Sequence, residues 1–250
     1  MNLSSLKEKS DAIEVAPLGR AENPFSTNKV TAYSLNFPIT GTCSPTKVCA
    51  KTCYFAGGPS TWTAAIAKQK RLQAKLDDNP DGLAVQIAEW VVRLRLTFVR
   101  WHGGGDMTKN SSRCINRVAA LTPDVPQWVV TRKPSLALGI KPAANVYVHL
   151  STDRSSMDRL TEFSRECDPA LLWFWSYQCD RGESPSRGLA PIVFRDRYKP
   201  LEGDLPGPHD CPLNWMEDIA GGCERCRMCF NGAAVNRGRE LAAPRARTES

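Results

Sequence analysis

No run of residues in this chain stays apolar for the ~20 positions that a bilayer-spanning helix needs. The first ten residues, Met1 to Ser10, are polar and lack the apolar stretch of a secretory signal. Both absences lead to the expectation of a cytoplasmic chain. Histidine is scarce, with three residues, and neither an HExxH motif nor a serine–histidine triad signature is present. Gly103-Gly104-Gly105 is not followed by Lys-Ser/Thr, which excludes a P-loop. Charge of one sign does not dominate either. The net charge of +7 is a modest excess, compatible with an anionic substrate or nucleic acid and equally with an inert surface. Part of it sits on Arg237, Arg239, Arg245 and Arg247, among Ala, Pro and Ser, where solvated side chains are expected.

Cysteine is what the chain has in excess, with ten residues. A reducing cytoplasm opposes disulfides, so such thiols persist because a metal holds them or because the interior buries them. Cys43, Cys49 and Cys53 form one group, and Cys211, Cys223, Cys226 and Cys229 a second, while Cys114, Cys167 and Cys179 stand alone. Core cysteines scattered at random would not group in this way.

At 250 residues the chain is long enough for a full α/β domain without disulfide staples. Residues 1–28 are polar and turn-rich and are expected to form a loose arm. Apolar runs at 32–37, 96–101, 127–131, 145–150, 171–177 and 191–195 are expected as strands. Helices are expected over about 60–77, capped by Ser60 or Thr61, from Asp81 as a cap through Leu94, over 111–121 and over 155–167. Strands separated by helices pair in parallel through right-handed crossovers. Six of them fit an incomplete (β/α)6 TIM-like barrel or a doubly wound sheet, and the former, with a cysteine-rich C-terminal extension, is the expected fold. The organisation that follows is an arm (1–28), a partial barrel (29–200), a cysteine-rich metal segment (201–235) and a basic flexible tail (236–250).

In either architecture function gathers at the carboxyl ends of the strands. Those ends carry Cys43, then Gly103–Asp106, Thr131-Arg132-Lys133, Ser151-Thr152-Asp153 and Gln178–Asp180. Three thiols in the eleven residues from Cys43 to Cys53, in a loop with Pro45, suit a metal or cluster. Three thiolates on a cubane cluster leave one iron open, whereas a structural zinc takes four closed ligands. A redox dithiol would want CxxC spacing, which this group lacks. His102 ends a strand and is a candidate ligand contact or acid–base group. His149 is expected to be packed, His209 to lie in a loop, and Trp173-Phe174-Trp175 to belong to the core. Arg100, Arg132 and Lys133 stand near the expected mouth, ready for a carboxylate or phosphate.

Three cysteines after the first strand, a Gly-Gly-acidic motif after the second and a Ser-x-Asp after the fourth resemble the radical S-adenosylmethionine (SAM) enzymes, over about residues 30–200. The resemblance implies a [4Fe–4S] cluster on Cys43, Cys49 and Cys53, with SAM chelating the open iron. It implies contacts from Gly104, Gly105 and Asp106 to the SAM amino group. Thr131, Ser151 and Asp153 would serve the rest of the cofactor, with Ser151 or Asp153 at its ribose or carboxylate. An electron donor such as flavodoxin or ferredoxin is implied as a partner. Here the spacing is C-x5-C-x3-C, Tyr54 follows the last cysteine, and aspartate stands where that superfamily carries glutamate. In wording the chain is also similar to the phage gene product 88 proteins. It shares Thr-Cys followed by Cys-x3-Cys-Tyr, Arg-x-His-x-x-Gly-Asp from Arg100 to Asp106, the Thr131-Arg132-Lys133 strand end and a cysteine-rich C-terminus. That family brings no activity with it.

The steps Cys223-x2-Cys226-x2-Cys229, with Cys211 upstream, are those of ferredoxin-type [4Fe–4S] loops, and four thiolates also accept zinc. Fully ligated, this group is an electron relay, a substrate anchor or a structural clip. The chain is therefore expected to be a radical-SAM-like enzyme that cleaves SAM reductively and abstracts hydrogen from a substrate. A non-catalytic zinc- or cluster-stabilised protein that binds nucleic acid is the alternative.

Overall fold

Along the strands, every second side chain is apolar and meets helices, and the residues between them face away. This two-residue alternation sorts the sheet into two faces of different character. The computed structural model of the chain describes residues 2–28, 32–180, 183, 192–194, 211 and 222–230. Helix α1 (Leu3–Asp11) precedes strands β1 (Ser26–Asn28) and β2 (Ala32–Asn36). Short helices α2 (Ile39–Thr42) and α3 (Lys47–Thr52), with 3-10 turns at Tyr54–Ala56 and Gly58–Thr61, carry the first cysteine group. Helices α4 (Thr63–Asp78) and α5 (Pro80–Leu94) lead to β3 (Val99–Gly104). Then follow α6 (Ser111–Leu121), β4 (Gln127–Thr131), α7 (Pro134–Ala137), β5 (Val146–Thr152), α8 (Asp158–Glu166), β6 (Trp173–Gln178) and β7 (Ile192–Phe194). Helix α9 (Gly222–Cys226) and a 3-10 turn at Met228–Phe230 hold three of the C-terminal cysteines.

The seven strands form one sheet in the order of the chain. β1 runs antiparallel to β2, and every later pair is parallel. The fold is thus mixed α/β with a mostly parallel sheet that does not close on itself. One large core joins Leu35, Val99, Trp101, Val129, Val148, Leu150, Trp173 and Trp175 of the sheet to Leu72, Ile87, Ile115, Val118 and Phe163 of the helices. The opposite face presents Trp128, Val130, Tyr147, Phe174, Ile192 and Phe194, and it is covered by Cys211, Cys223, Cys229 and Phe230. Phe230 stacks on Phe98 with ring centroids 4.7 Å apart and leans on Trp128 at 5.9 Å. Among the described residues no helix is long and apolar enough to cross a membrane.

The six expected strands are all present. The expected loose arm is corrected in part: residues 2–28 contain α1 and β1, with Leu6, Leu18 and Phe25 buried. Asn2 caps α1 by accepting from the Ser5 N–H at 2.8 Å, and Leu6 packs with Ile39 and Ile66. Such a short helix owes its stability to that packing rather than to its own propensity. Two caps also differ. Pro80 occupies the first turn of α5, which moves the cap back to Asn79, whose Oδ1 accepts from the Gly82 N–H at 2.7 Å. Asp81 instead pairs with Arg113. Ser60 and Thr61 bond to carbonyls within their own 3-10 turns, and α4 begins after Trp62 without a side-chain cap. Residues 236–250, the basic tail on which the nucleic-acid alternative leans, lie outside the described residues, as does His209.

The two faces of α5 give a direct check on the packing. Ile87 is fully buried, and Val92, on the same helix, is 74% exposed. Ile87→Ala is expected to cost about 2–5 kcal/mol through lost burial and a residual cavity. Val92→Ala should stay within about 0.5 kcal/mol of wild type. Urea denaturation of both variants reads the difference.

Candidate functional site at the carboxyl ends of the strands

The first cysteine group is not an open loop. Proline fits the entry to a helical turn, and Pro38 precedes α2, which ends at Cys43. Thr46 then caps α3 by accepting from the Cys49 N–H at 3.2 Å, so Cys49 lies within α3 and Cys53 closes it. All three thiols are half-buried. Burial pushes the Cys43 thiol up to about 12, and the charges of Asp106, Cys49 and Cys53 add to the effect. Burial also raises Cys49; Arg132 opposes this, while Cys53, Asp153 and Asp106 reinforce it. Cys43 and Cys49 thus resist ionisation until a cation offsets the cost. Among the described residues, no three of His, Cys, Asp or Glu stand close enough together to hold a metal ion. Ligation would have to draw the thiols inward.

Two latches fasten this segment to the strand ends. In the first, Thr42 Oγ1 accepts from the Asp106 N–H at 2.8 Å and donates to the Pro38 carbonyl at 2.8 Å. The Asp106 carboxyl accepts from Thr131 Oγ1 at 2.5 Å and from the Met107 N–H at 2.7 Å, with the Arg132 N–H at 3.3 Å. Lys133 Nζ donates to the Thr42 carbonyl and, at 3.1 Å, to that of Met107. Burial raises the Asp106 pKa, and the bonds from Thr131 and Met107 and the Lys133 charge pull against it without prevailing. In the second latch, the Arg132 guanidinium pairs with the fully buried Asp153, and Thr46 donates to the same carboxylate. Arg132 also donates to Ser151 Oγ at 3.2 Å, and Ser155 Oγ donates to Asp153 at 2.6 Å. Burial works against ionisation of Asp153, but Ser155, Thr46 and Arg132 outweigh it and hold the carboxyl below the ordinary aspartate range.

The structure therefore brings Cys43, Cys49, Cys53, Asp106, Thr131, Ser151 and Asp153 to one rim. Both carboxylates of that set are already spent on protein partners. Thr42 and Thr46, which join the cysteines to them, were not singled out in the sequence analysis. The signal for Thr46 was there: a threonine after proline, three residues before Cys49, is an N-cap pattern. Arg132 was expected at the mouth as a holder of a ligand's carboxylate or phosphate; in the fold its guanidinium pairs with the protein's own Asp153.

The glycine motif is packed rather than open. A Cβ on Gly104 would meet the Phe55 ring at 2.2 Å, and Gly105, at φ +78°, lies against the Phe37 backbone. Tyr54 Oη donates to the Gly103 carbonyl. His102, itself at φ +55°, is buried beside Phe37 with ring centroids 5.2 Å apart. Burial pushes its pKa down to about 3, the Val130 backbone compensating only in part, so the ring is neutral at physiological pH.

The C-terminal group lies on the other face of the sheet. Cys229 packs both with Trp128 and Phe230 and with Phe174 and Ile192, and the Cys211 N–H donates to the Val193 carbonyl at 3.1 Å. Burial raises Cys229 well above its ordinary value, with Cys211, Cys223 and Cys226 adding to it and Arg100 opposing. Burial raises Cys223 likewise, again with Arg100 opposing. Arg100 sits 4.8 Å over the Trp128 ring and donates to Tyr54 Oη at 3.1 Å. It thus links the residue after Cys53 to the second cysteine group. His149 is buried there, as expected, and burial pushes it down to about 3, with the Arg100 charge adding to the effect.

A family model described as gene product 88 matches residues 5–232 of the chain. No curated protein and no solved structure matches it.

The second latch makes a quantitative claim. Asp153→Asn leaves Arg132 without its counter-charge at a largely buried position, and we expect a cost of roughly 3–5 kcal/mol at pH 7. Because the Asp153 pKa is lowered on folding, its contribution is complete above the ordinary aspartate range. It is lost as the pH falls through its own lower value. The stability gap between wild type and variant should therefore narrow below about pH 4. Denaturation midpoints measured at pH 7 and at pH 3–4 check both the size and the sign.

Proposed function

Since the chain belongs to the gene product 88 family, which lends it no chemistry, we propose from the site itself that the protein is an iron–sulfur enzyme of the radical SAM kind. The observation that carries this is the gathering of three half-buried thiols at the carboxyl ends of parallel strands, held there by two latches. The sheet supports the same reading. Its parallel strands follow chain order and the described crossover helices share one face, which is how an open segment of a β/α barrel is wound; a doubly wound sheet reverses its strand order partway. All ten cysteines are free thiols, as a reducing cytoplasm would keep them.

The donor set suits such a cluster in kind. Cys43, Cys49 and Cys53 would hold three irons and leave the fourth open. Bound there, a [4Fe–4S] cluster would supply an electron, received from a flavodoxin- or ferredoxin-like donor, for reductive cleavage of SAM. Beside the cysteines lies a cleft lined by Ser44, Thr46, Arg132, Ser151, Thr152 and Arg159. Its hydroxyls and two guanidinium groups suit a carboxylate and a ribose. Asp106, Thr131 and Lys133 position the cysteine segment over the strand ends and keep its carbonyls satisfied. Cys211, Cys223, Cys226 and Cys229 would form a fully ligated second site, for a cluster or for zinc.

Anaerobic reconstitution followed by iron, sulfide and zinc analysis tests the reading. We expect about eight irons per chain, or about four with one zinc. Cys49→Ala should remove about four irons together with any change that SAM makes to the reduced protein's electron paramagnetic resonance spectrum. Wild-type protein carrying zinc alone would overturn the enzyme.

A further inference from the structure

Among the described residues, the sheet face turned away from the helices carries a buried ring nitrogen without a partner. His149 sits on this face, 1% exposed, with its ring stacked between Trp128 (6.1 Å, 11°) and Phe174 (4.5 Å, 27°). Trp128 Nε1–H donates to His149 Nδ1 at 3.1 Å. An indole N–H is only ever a donor, so Nδ1 is the acceptor, and the proton of the neutral ring lies on Nε2. That Nε2–H meets no acceptor among the described residues. A buried donor left unpaired is costly, so a fold seldom keeps one without a use.

What covers the two rings on either side of His149 is the second cysteine group. Cys229 packs against Trp128 in one cluster and against Phe174 in the other, with Cys223 and Cys211 beside it. We propose that these four cysteines, closed on a metal, form a plug docked on this face, and that His149 Nε2–H donates to a metal-bound thiolate of the plug. The proposal rests on the reading of Cys211, Cys223, Cys226 and Cys229 as a metal site by the chemistry of its donors; as placed, no three of them stand close enough to hold an ion, so binding would draw the plug closed around the metal. A thiolate on a metal accepts N–H groups, and such outer-shell bonds govern both the affinity and the electronics of the centre. Trp128 then acts at one remove: it fixes the tautomer that presents the proton. Arg100, lying over Trp128, adds positive charge near the same thiolates. His149 is in these terms a positioning and tuning residue, with no role in touching substrate.

Zinc alone is a sufficient probe, because four thiolates take it whichever metal is native. The full-length reduced chain is titrated with Zn²⁺ against a competing chelator, and the site is identified as the one that Cys226→Ala, an exposed position, abolishes. His149→Phe keeps the stacked ring and removes the donor, and we expect it to weaken that site 10–100-fold. His149→Gln sacrifices the ring but carries an N–H at similar reach, and it should bind more tightly than the Phe variant. A purely structural role for the ring predicts the opposite order, and that order, or equal affinity in all three proteins, overturns the proposal. If no zinc depends on Cys226, the metal reading of this group falls and takes the plug with it. Loss of Cys226-dependent zinc in His149→Gln but not in His149→Phe would show that packing, not the proton, matters.

Discussion

Parallel crossovers repeated in one direction along the sheet govern this molecule. Each parallel strand is added beside the one before it, so each connecting helix lands on the same side of the sheet. That side is thereby closed with a continuous core from Leu35 to Tyr177. Among the described residues the other side receives no helix from the crossovers, yet it carries Trp128, Tyr147, Phe174 and Phe194. A sheet with that much aromatic surface needs a second cover, and the C-terminal cysteine segment provides it. The two cysteine groups thus divide their positions according to the winding: one at the strand ends, one on the uncovered face.

The strand ends show how a polar rim can be self-sufficient. Parallel strands bring their terminal residues side by side, and Asp106, Thr131, Arg132, Ser151 and Asp153 meet there. Buried carboxylates must be paired or hydrogen-bonded, and these two have found partners within the protein. The result is a stiff base beneath the cysteine segment. Its threonines do double duty, since Thr42 and Thr46 each end or begin a short helix and also bond to an aspartate latch. The polar base of this rim is thus organised by the protein's own partners.

Much of the fold was legible because periodicity and turn residues agree along most of the chain. The run 127–131 became β4 without adjustment, and 111–121 became α6. The start of β3 moved from Leu96 to Val99 because Arg95, at φ +52°, closes α5 and the Leu96 N–H donates to the Val91 carbonyl at 3.0 Å; at its other end the strand continues through His102-Gly103-Gly104, residues whose propensity argues against a strand. Helix α1 was illegible because its stability comes from Leu6 meeting Ile39 and Ile66, which lie far off in the chain. The clustering of the cysteines was visible, as was the polar character of the strand ends. What no linear pattern could reveal was that Arg132 and Asp153 are each other's partners. That pairing exists only once β4 and β5 lie in register.

The short antiparallel strand at the start of the sheet has a consequence for how copies of the chain meet. An exposed parallel edge offers a neighbour an open row of N–H and C=O groups, the usual route to intermolecular ladders. Here β2 would be that edge, and Ser26–Asn28 pairs along it through Ser34, Tyr33 and Ala32. Among the described residues the strand that takes its place at the border is three residues long, and Pro24, two residues before it, has no N–H to offer. A foreign strand seeking to extend the sheet from this side finds too few ladder positions to bind. By capping its own first parallel strand, the chain makes runaway β-association at this border unprofitable.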